Sequence, residues 1–139
     1  MLGKYLYNTY EGTISTGADT NTYTLYIDIP ESTITKDSKR FIPRDFYIAE
    51  LEVFRGSVSG DDSFDVFIES YAGLVTKIST STIKIPNGIS GRRIMSLQPS
   101  EAVKHGIKLD AGTVLFIKYY NTSSVAKNVT VRIGGVMIE

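Results

Sequence analysis

The chain has 139 residues and no cysteine, and its 15 Lys and Arg balance 15 Asp and Glu to a formal net charge of zero. That length suits one domain, 1–139, with a core of its own. The missing cysteines exclude disulfides, thiolate metal sites and cysteine nucleophiles. A neutral chain without a dense basic cluster is a poor nucleic-acid binder, because that affinity rests on neutralising phosphates.

Lys4 to Ser15 opens the chain with Tyr5, Tyr7 and Tyr10 among Thr and Asn; it reads as an N-terminal strand, or as an arm over 1–15 that reaches a neighbour. The start carries no apolar run of signal-peptide length, and no stretch approaches the ~20 apolar residues that span a bilayer. A turn at Gly17–Asn21 precedes Thr22–Ile29, where Tyr23, Leu25, Ile27 and Ile29 alternate with polar neighbours until Pro30. Such alternation is the mark of a half-buried strand. Glu31 to Arg44 is polar and reads as a loop with a short edge strand at Thr33–Thr35. Asp45 to Val58 is a long strand, with Tyr47, Ala49, Leu51 and Val53 expected on one face and Phe46, Ile48, Glu50, Glu52 and Phe54 on the other.

A turn at Ser59–Ser63 leads into Phe64–Tyr71, with Phe64, Val66 and Ile68 on one face. Leu74–Thr80 and Thr82–Ile85 are further short strands. Between Gly91 and Lys108, Ile94, Met95 and Leu97 suit a strand, and Pro99 to His105 suits one helical turn closed by Gly106. Val114–Tyr120 is apolar or aromatic on both faces. Asn128–Ile133 alternates cleanly, and Gly134-Gly135 predicts a bulge or bend that carries the terminal strand into another sheet. About eight short strands with almost no helix give an all-β fold, an antiparallel β-sandwich of jelly-roll type.

Few constellations offer chemistry. His105 is the single histidine, so a histidine-based triad or zinc site has little to build on. Glu50, Glu52 and Glu69 occupy ordinary polar-face positions, and no enzymatic activity is expected. Asp61, Asp62 and Asp65 crowd one turn. They could offer oxygens to calcium, but the twelve-residue loop with its terminal Glu is missing, so a solvated turn is the favoured reading. No cofactor is expected, and a small-molecule ligand is not expected either. The nine tyrosines suit interfaces, since each buries area while keeping a polar tip. Tyr5, Tyr7, Tyr10, Tyr119 and Tyr120 are the interface candidates. Asn121-Thr-Ser and Asn128-Val-Thr match the N-glycosylation pattern.

The strand order, the long loop after the second strand and the closing Leu109-Asp-Ala-Gly112 turn, strand, loop and strand resemble small jelly-roll domains. Among these the chain is similar to single jelly-roll structural proteins of viruses: capsid, penton, turret or decoration subunits. The resemblance implies a structural virion protein that assembles with copies of itself and with other virion proteins. The alternative is a carbohydrate-binding or adhesin-type module on an extracellular surface. The two-sided apolar strand Val114–Tyr120 is then expected to be covered by the core on one side and by a neighbouring subunit on the other.

Overall fold

A computed structural model describes residues 6–36, 38–56, 59–79, 82–88, 91–94 and 107–138. These residues form eleven strand segments in chain order: β1 (Leu6–Ser15), β2 (Asn21–Asp28), β3 (Thr33–Thr35), β4 (Phe46–Arg55), β5 (Asp62–Glu69), β6 (Val75–Lys77), β7 (Ile83–Ile85), β8 (Gly91–Ile94), β9 (Ile107–Leu109), β10 (Val114–Asn121) and β11 (Asn128–Met137). Tyr5, Met95, Leu97, the expected helical turn and His105 lie outside the described residues.

The pairing follows a simple rule: the chain is folded in half. β1 pairs β11, β2 pairs β10, β4 pairs both β8 and β9, and β5 pairs both β6 and β7, all antiparallel. The fold line is the turn after β5, around Gly73. Two further ladders, β11 on β4 and β10 on β5, gather the halves into two sheets. Sheet A runs β1-β11-β4 with β8 and β9 sharing the outer edge of β4. Sheet B runs β3-β2-β10-β5 with β6 and β7 sharing the outer edge of β5. The eleven segments therefore fill eight ladder positions plus the edge strand β3, and their order is the double Greek key of a jelly roll.

The core lies between the sheets and follows from the period-two pattern. Leu25 and Ile27 of β2, Phe64 and Val66 of β5, Leu115, Ile117 and Tyr119 of β10, and Val129, Val131 and Ile133 of β11 all point inward and are buried. Each fully buried side chain of this kind contributes about 1.5–3 kcal/mol. Along one side β3 crosses close to β1. A Cβ on Gly12 would stand 3.0 Å from Ile34 Cγ1 and 3.0 Å from Ser32 O, so the two sheets approach there only because residue 12 has no side chain.

Two expectations need correcting. In β4 the faces are not those of simple alternation: Phe46 and Ile48 are buried together with Leu51 and Val53. The ladder to β11 jumps from Gly134 opposite Glu50 to Gly135 opposite Ile48, so Ala49 is the extra residue of a bulge. A bulge inserts one residue and swaps the face of everything beyond it. The bulge anticipated at Gly134-Gly135 is therefore present, but β11 stays in sheet A through Met137 rather than changing sheets. A Cβ on Gly135 would collide with Tyr47 O and stand 2.6 Å from Phe46 Cζ, so the close approach at the bulge requires glycine.

The outward face of β10 is the second correction. Val114 and Phe116 are buried, but their cover comes from this chain. Phe41 bridges to Val114, and the Phe116 ring stacks on Phe67 at 5.3 Å and tilts against Tyr26 at 5.8 Å.

Candidate interaction surface and buried polar cluster

The two ends of the sandwich differ in chemistry. At one end, β4 finishes at Arg55, β5 begins at Asp62, and β10 finishes at Tyr119 and Asn121. Alternation carries Arg55 inward after Leu51 and Val53, and sets Asp62 on the same inward face as Phe64 and Val66. The loop after β10 brings Lys127 to them. Arg55, Asp62, Asn121 and Lys127 are all buried polar groups, a costly arrangement unless each is paired and hydrogen-bonded.

The pairing is extensive. Asp62 Oδ2 lies 3.2 Å from Arg55 Nη1 and 3.1 Å from Lys127 Nζ, and it accepts the Tyr119 hydroxyl at 2.7 Å. Asp62 Oδ1 accepts Thr122 N–H at 2.9 Å and the Thr122 hydroxyl at 3.1 Å. Arg55 also donates to the carbonyls of Gly60 at 2.8 Å and Pro86 at 3.0 Å. Lys127 Nζ donates to Asn121 Oδ1 at 2.5 Å and Ser123 Oγ at 2.8 Å. The Lys127 backbone N–H reaches Thr16 Oγ1 at 2.9 Å, which ties the loop to the end of β1. Burial pushes the Asp62 carboxyl up, but the hydrogen bonds from Thr122, Tyr119, Lys127 and Arg55 together outweigh it and hold the group below the usual carboxylate range. Burial and the bond to Asp62 push the Tyr119 phenol well above its ordinary value.

The outer face of sheet B, toward the other end, sets aromatic and aliphatic side chains among paired charges. The register places Phe41, Val114, Glu69 and Val75 in one row across the sheet, and Tyr26, Phe116, Phe67 and Lys77 in the next. Phe41 is 58% exposed, Val75 48% and the adjacent Leu74 69%. Tyr71, 87% exposed, stands over the turn at Gly112, whose Cβ position is 3.2 Å from Tyr71 Cδ2. The charges on this face are compensated within it. Lys39 pairs with Glu69 at 2.7 Å, Lys77 with Asp65 at 3.0 Å, and Lys118 lies over the Phe67 ring at 5.2 Å.

The candidates from sequence scatter. Asp61, Asp62 and Asp65 do not converge: Asp61 accepts Asn87 N–H at 2.7 Å at the surface, Asp62 is the buried hub, and Asp65 faces outward to Lys77 and Tyr120. Among the described residues no group of three or more acidic or histidine side chains is placed to hold a metal. Of the tyrosines, Tyr7 is half exposed on sheet A, whereas Tyr10 packs edge-on against Phe46 at 5.7 Å. Tyr119 is fully buried in the core and cannot meet a neighbour, and Tyr120 donates to Asp65 at 2.9 Å. Residues 6–15 are the strand β1 in sheet A rather than an arm. Asn128 is exposed at the start of β11, whereas Asn121 is buried with its amide committed to Gly17, Asp19 and Val125 carbonyls. The exposed set Phe41, Tyr71, Leu74 and Val75 escaped the sequence reading because it sits in turns and at an edge, where no periodicity marks a face.

No family model matches the chain, and no curated protein matches it. Among solved structures it is similar to a chain in the structure of infectious bursal disease virus Gx strain, with 10% identity, 98% of this chain and 43% of that chain covered, and a TM-score of 0.27. A chain in the structure of the Gt strain of the same virus gives 11% identity, coverages of 96% and 41%, and a TM-score of 0.19. The chain thus spans less than half the length of either, and likenesses this slight carry no argument about what it does.

Proposed function

We propose that this chain is a non-enzymatic structural subunit, of virion type, that associates with a second copy of itself through the outer face of sheet B. The observation that carries the reading is the run of exposed apolar side chains, Phe41, Tyr71, Leu74 and Val75, continuous with the Tyr26–Phe116–Phe67 aromatic row. Four large apolar groups at one end of a sheet exceed what isolated surface residues need explaining. Five ladder positions about 4.8 Å apart and roughly eight residues at about 3.3 Å each make a face on the order of 500–600 Å². With its turns added, that approaches the roughly 800 Å² per partner of a standard interface. An aromatic centre with a polar rim is the anatomy such interfaces have. The internal pairing of Lys39 with Glu69 and Lys77 with Asp65 lets like faces meet without like charges opposing each other. The jelly-roll order is shared by viral capsid and lectin domains and by cupins, so the virion setting is the part of the proposal that fold alone does not choose.

Sedimentation velocity over a concentration series tests it. Association is expected for the natural chain, and a shift to monomer for Tyr71→Ser combined with Leu74→Ser and Val75→Ser, three exposed positions outside the core. A natural chain that stays monomeric at high concentration refutes self-association. The carbohydrate-binding alternative has one observation in its favour, the freely presented Tyr71 ring, and a glycan array reads it directly.

A further inference from the structure

At the polar end of the sandwich a primary amine, a carboxamide and a carboxylate share one space from which water is excluded. Lys127 Nζ stands 2.5 Å from Asn121 Oδ1 and 3.1 Å from Asp62 Oδ2, and all three residues are buried. An ion pair would need only one cation, and Arg55 already lies 3.2 Å from the same Asp62 oxygen. The self-association reading uses none of these groups. We propose that Lys127 and Asn121 join covalently: the lysine amine displaces ammonia from the asparagine carboxamide, leaving an isopeptide bond within the chain.

The step balances without any oxidant, reductant or further reactant. Asp62 takes a proton from the Lys127 ammonium, and the freed Nζ lone pair attacks Asn121 Cγ while the carbonyl π pair moves to Oδ1. The protonated Asp62 delivers its proton to Nδ2 and takes one from the attacking nitrogen. The carbonyl re-forms, the Cγ–Nδ2 bond breaks, and its electron pair leaves with ammonia. The proton that Lys127 brought leaves with that ammonia as ammonium, and Asp62 is restored. One C–N bond is made and one is broken.

The surroundings fit the attack on Cγ. The Ser123 N–H points at Asn121 Oδ1 from 3.4 Å, where negative charge grows. The Asn121 amide nitrogen is held by the carbonyls of Gly17, Asp19 and Val125 at 3.4, 3.1 and 3.1 Å, which fixes the plane that the amine must approach. Tyr119 and Thr122 hold the Asp62 carboxylate in place at 2.7 and 2.9 Å. Groups held in such proximity react with effective molarities on the order of 10⁵–10⁸ M, and a carboxylate in reach of the nucleophile supplies the general base and acid.

Intact-mass spectrometry of the full chain, purified folded and then denatured, is the test. The expected mass is that of the sequence less one ammonia. Trypsin should leave residues 119–132 as one peptide, uncut after Lys127 and lighter by the same ammonia. Asn121→Ala and Lys127→Met should each show the full sequence mass. The natural chain at full sequence mass, cut normally after Lys127, overturns the proposal whatever the variants do. Ammonia loss that persists in Lys127→Met also overturns it, because asparagine has then cyclised on its own backbone.

Discussion

Replacing Asp62 by alanine tests the reading of the polar end most sharply. Its carboxylate is the acceptor for Tyr119, for the Thr122 N–H and hydroxyl, and the counter-charge of the fully buried Arg55. Removing one partner of a buried ion pair costs about 3–5 kcal/mol. Each stranded hydrogen-bond donor would add about 1–3 kcal/mol if it stood alone. These donors belong to one network, so the losses overlap rather than add, and about 3–5 kcal/mol is the expected total. Against the 5–15 kcal/mol of a typical domain that is a large fraction of the stability. In urea, with a slope of about 2 kcal/mol/M, the midpoint should fall by about 1.5–2.5 M at unchanged slope. Asp62→Asn keeps the volume and one acceptor oxygen and should lose less. The same substitution flattens the acid limb of stability. Because the folded state holds this carboxyl below its ordinary value, the stabilisation is complete above the ordinary value and drains away as pH falls through it toward the folded one. An Asp62→Ala loss under about 1 kcal/mol would refute the view that the carboxylate is the hub of this end.

Three further outcomes follow from the packing. Gly135→Ala places a methyl against Tyr47 O and 2.6 Å from Phe46 Cζ and should lower stability by about 1–3 kcal/mol, visible by calorimetry as a lower Tm. Tyr119→Phe keeps the ring but removes the hydroxyl bonded to Asp62, and thermal unfolding should show a loss of about 1–3 kcal/mol. Phe116→Ala, measured where the chain is dilute, should cost about 3–5 kcal/mol, since Tyr26 and Phe67 already bury that ring. A negligible cost would mean that the face depends on a neighbour.

Much of the fold could be read from period-two patterns, and the departures have local causes. β2, β5 and β11 bury the apolar series their alternation predicts, β10 was read as apolar on both faces, and β3 lies at the predicted edge. In β4, alternation placed Phe46 and Ile48 opposite Leu51 and Val53 because the extra residue at Ala49 leaves no trace in the pattern itself; only the glycine pair on its partner strand hints at it. Asp62 read as one acid in an acidic turn, yet it continues the inward series Phe64, Val66 and Ile68, and that series was the signal available. Arg55 continues Leu51 and Val53 in the same way. Lys127 has no such signal, because a loop residue is brought to the cluster by tertiary pairing alone. Tyr119 looked like an interface residue by type, while its register with Leu115 and Ile117 puts it in the core.

The chain folded in half has a consequence for how it reaches this state. Around Gly73 the β5–β6 ladder closes a short loop, whereas joining Leu6 to Met137 in β1–β11 encloses nearly the whole chain. Loop-closure entropy rises with each enclosing pair, so assembly is favoured from the centre outward, with the first and last strands docking late. Topologies dominated by such distant partners fold slowly, over milliseconds to seconds. During that interval β4 and β10, the strands that wait longest for β11 and β2, carry open edges, and crowded copies of the chain would meet there before the sandwich is complete.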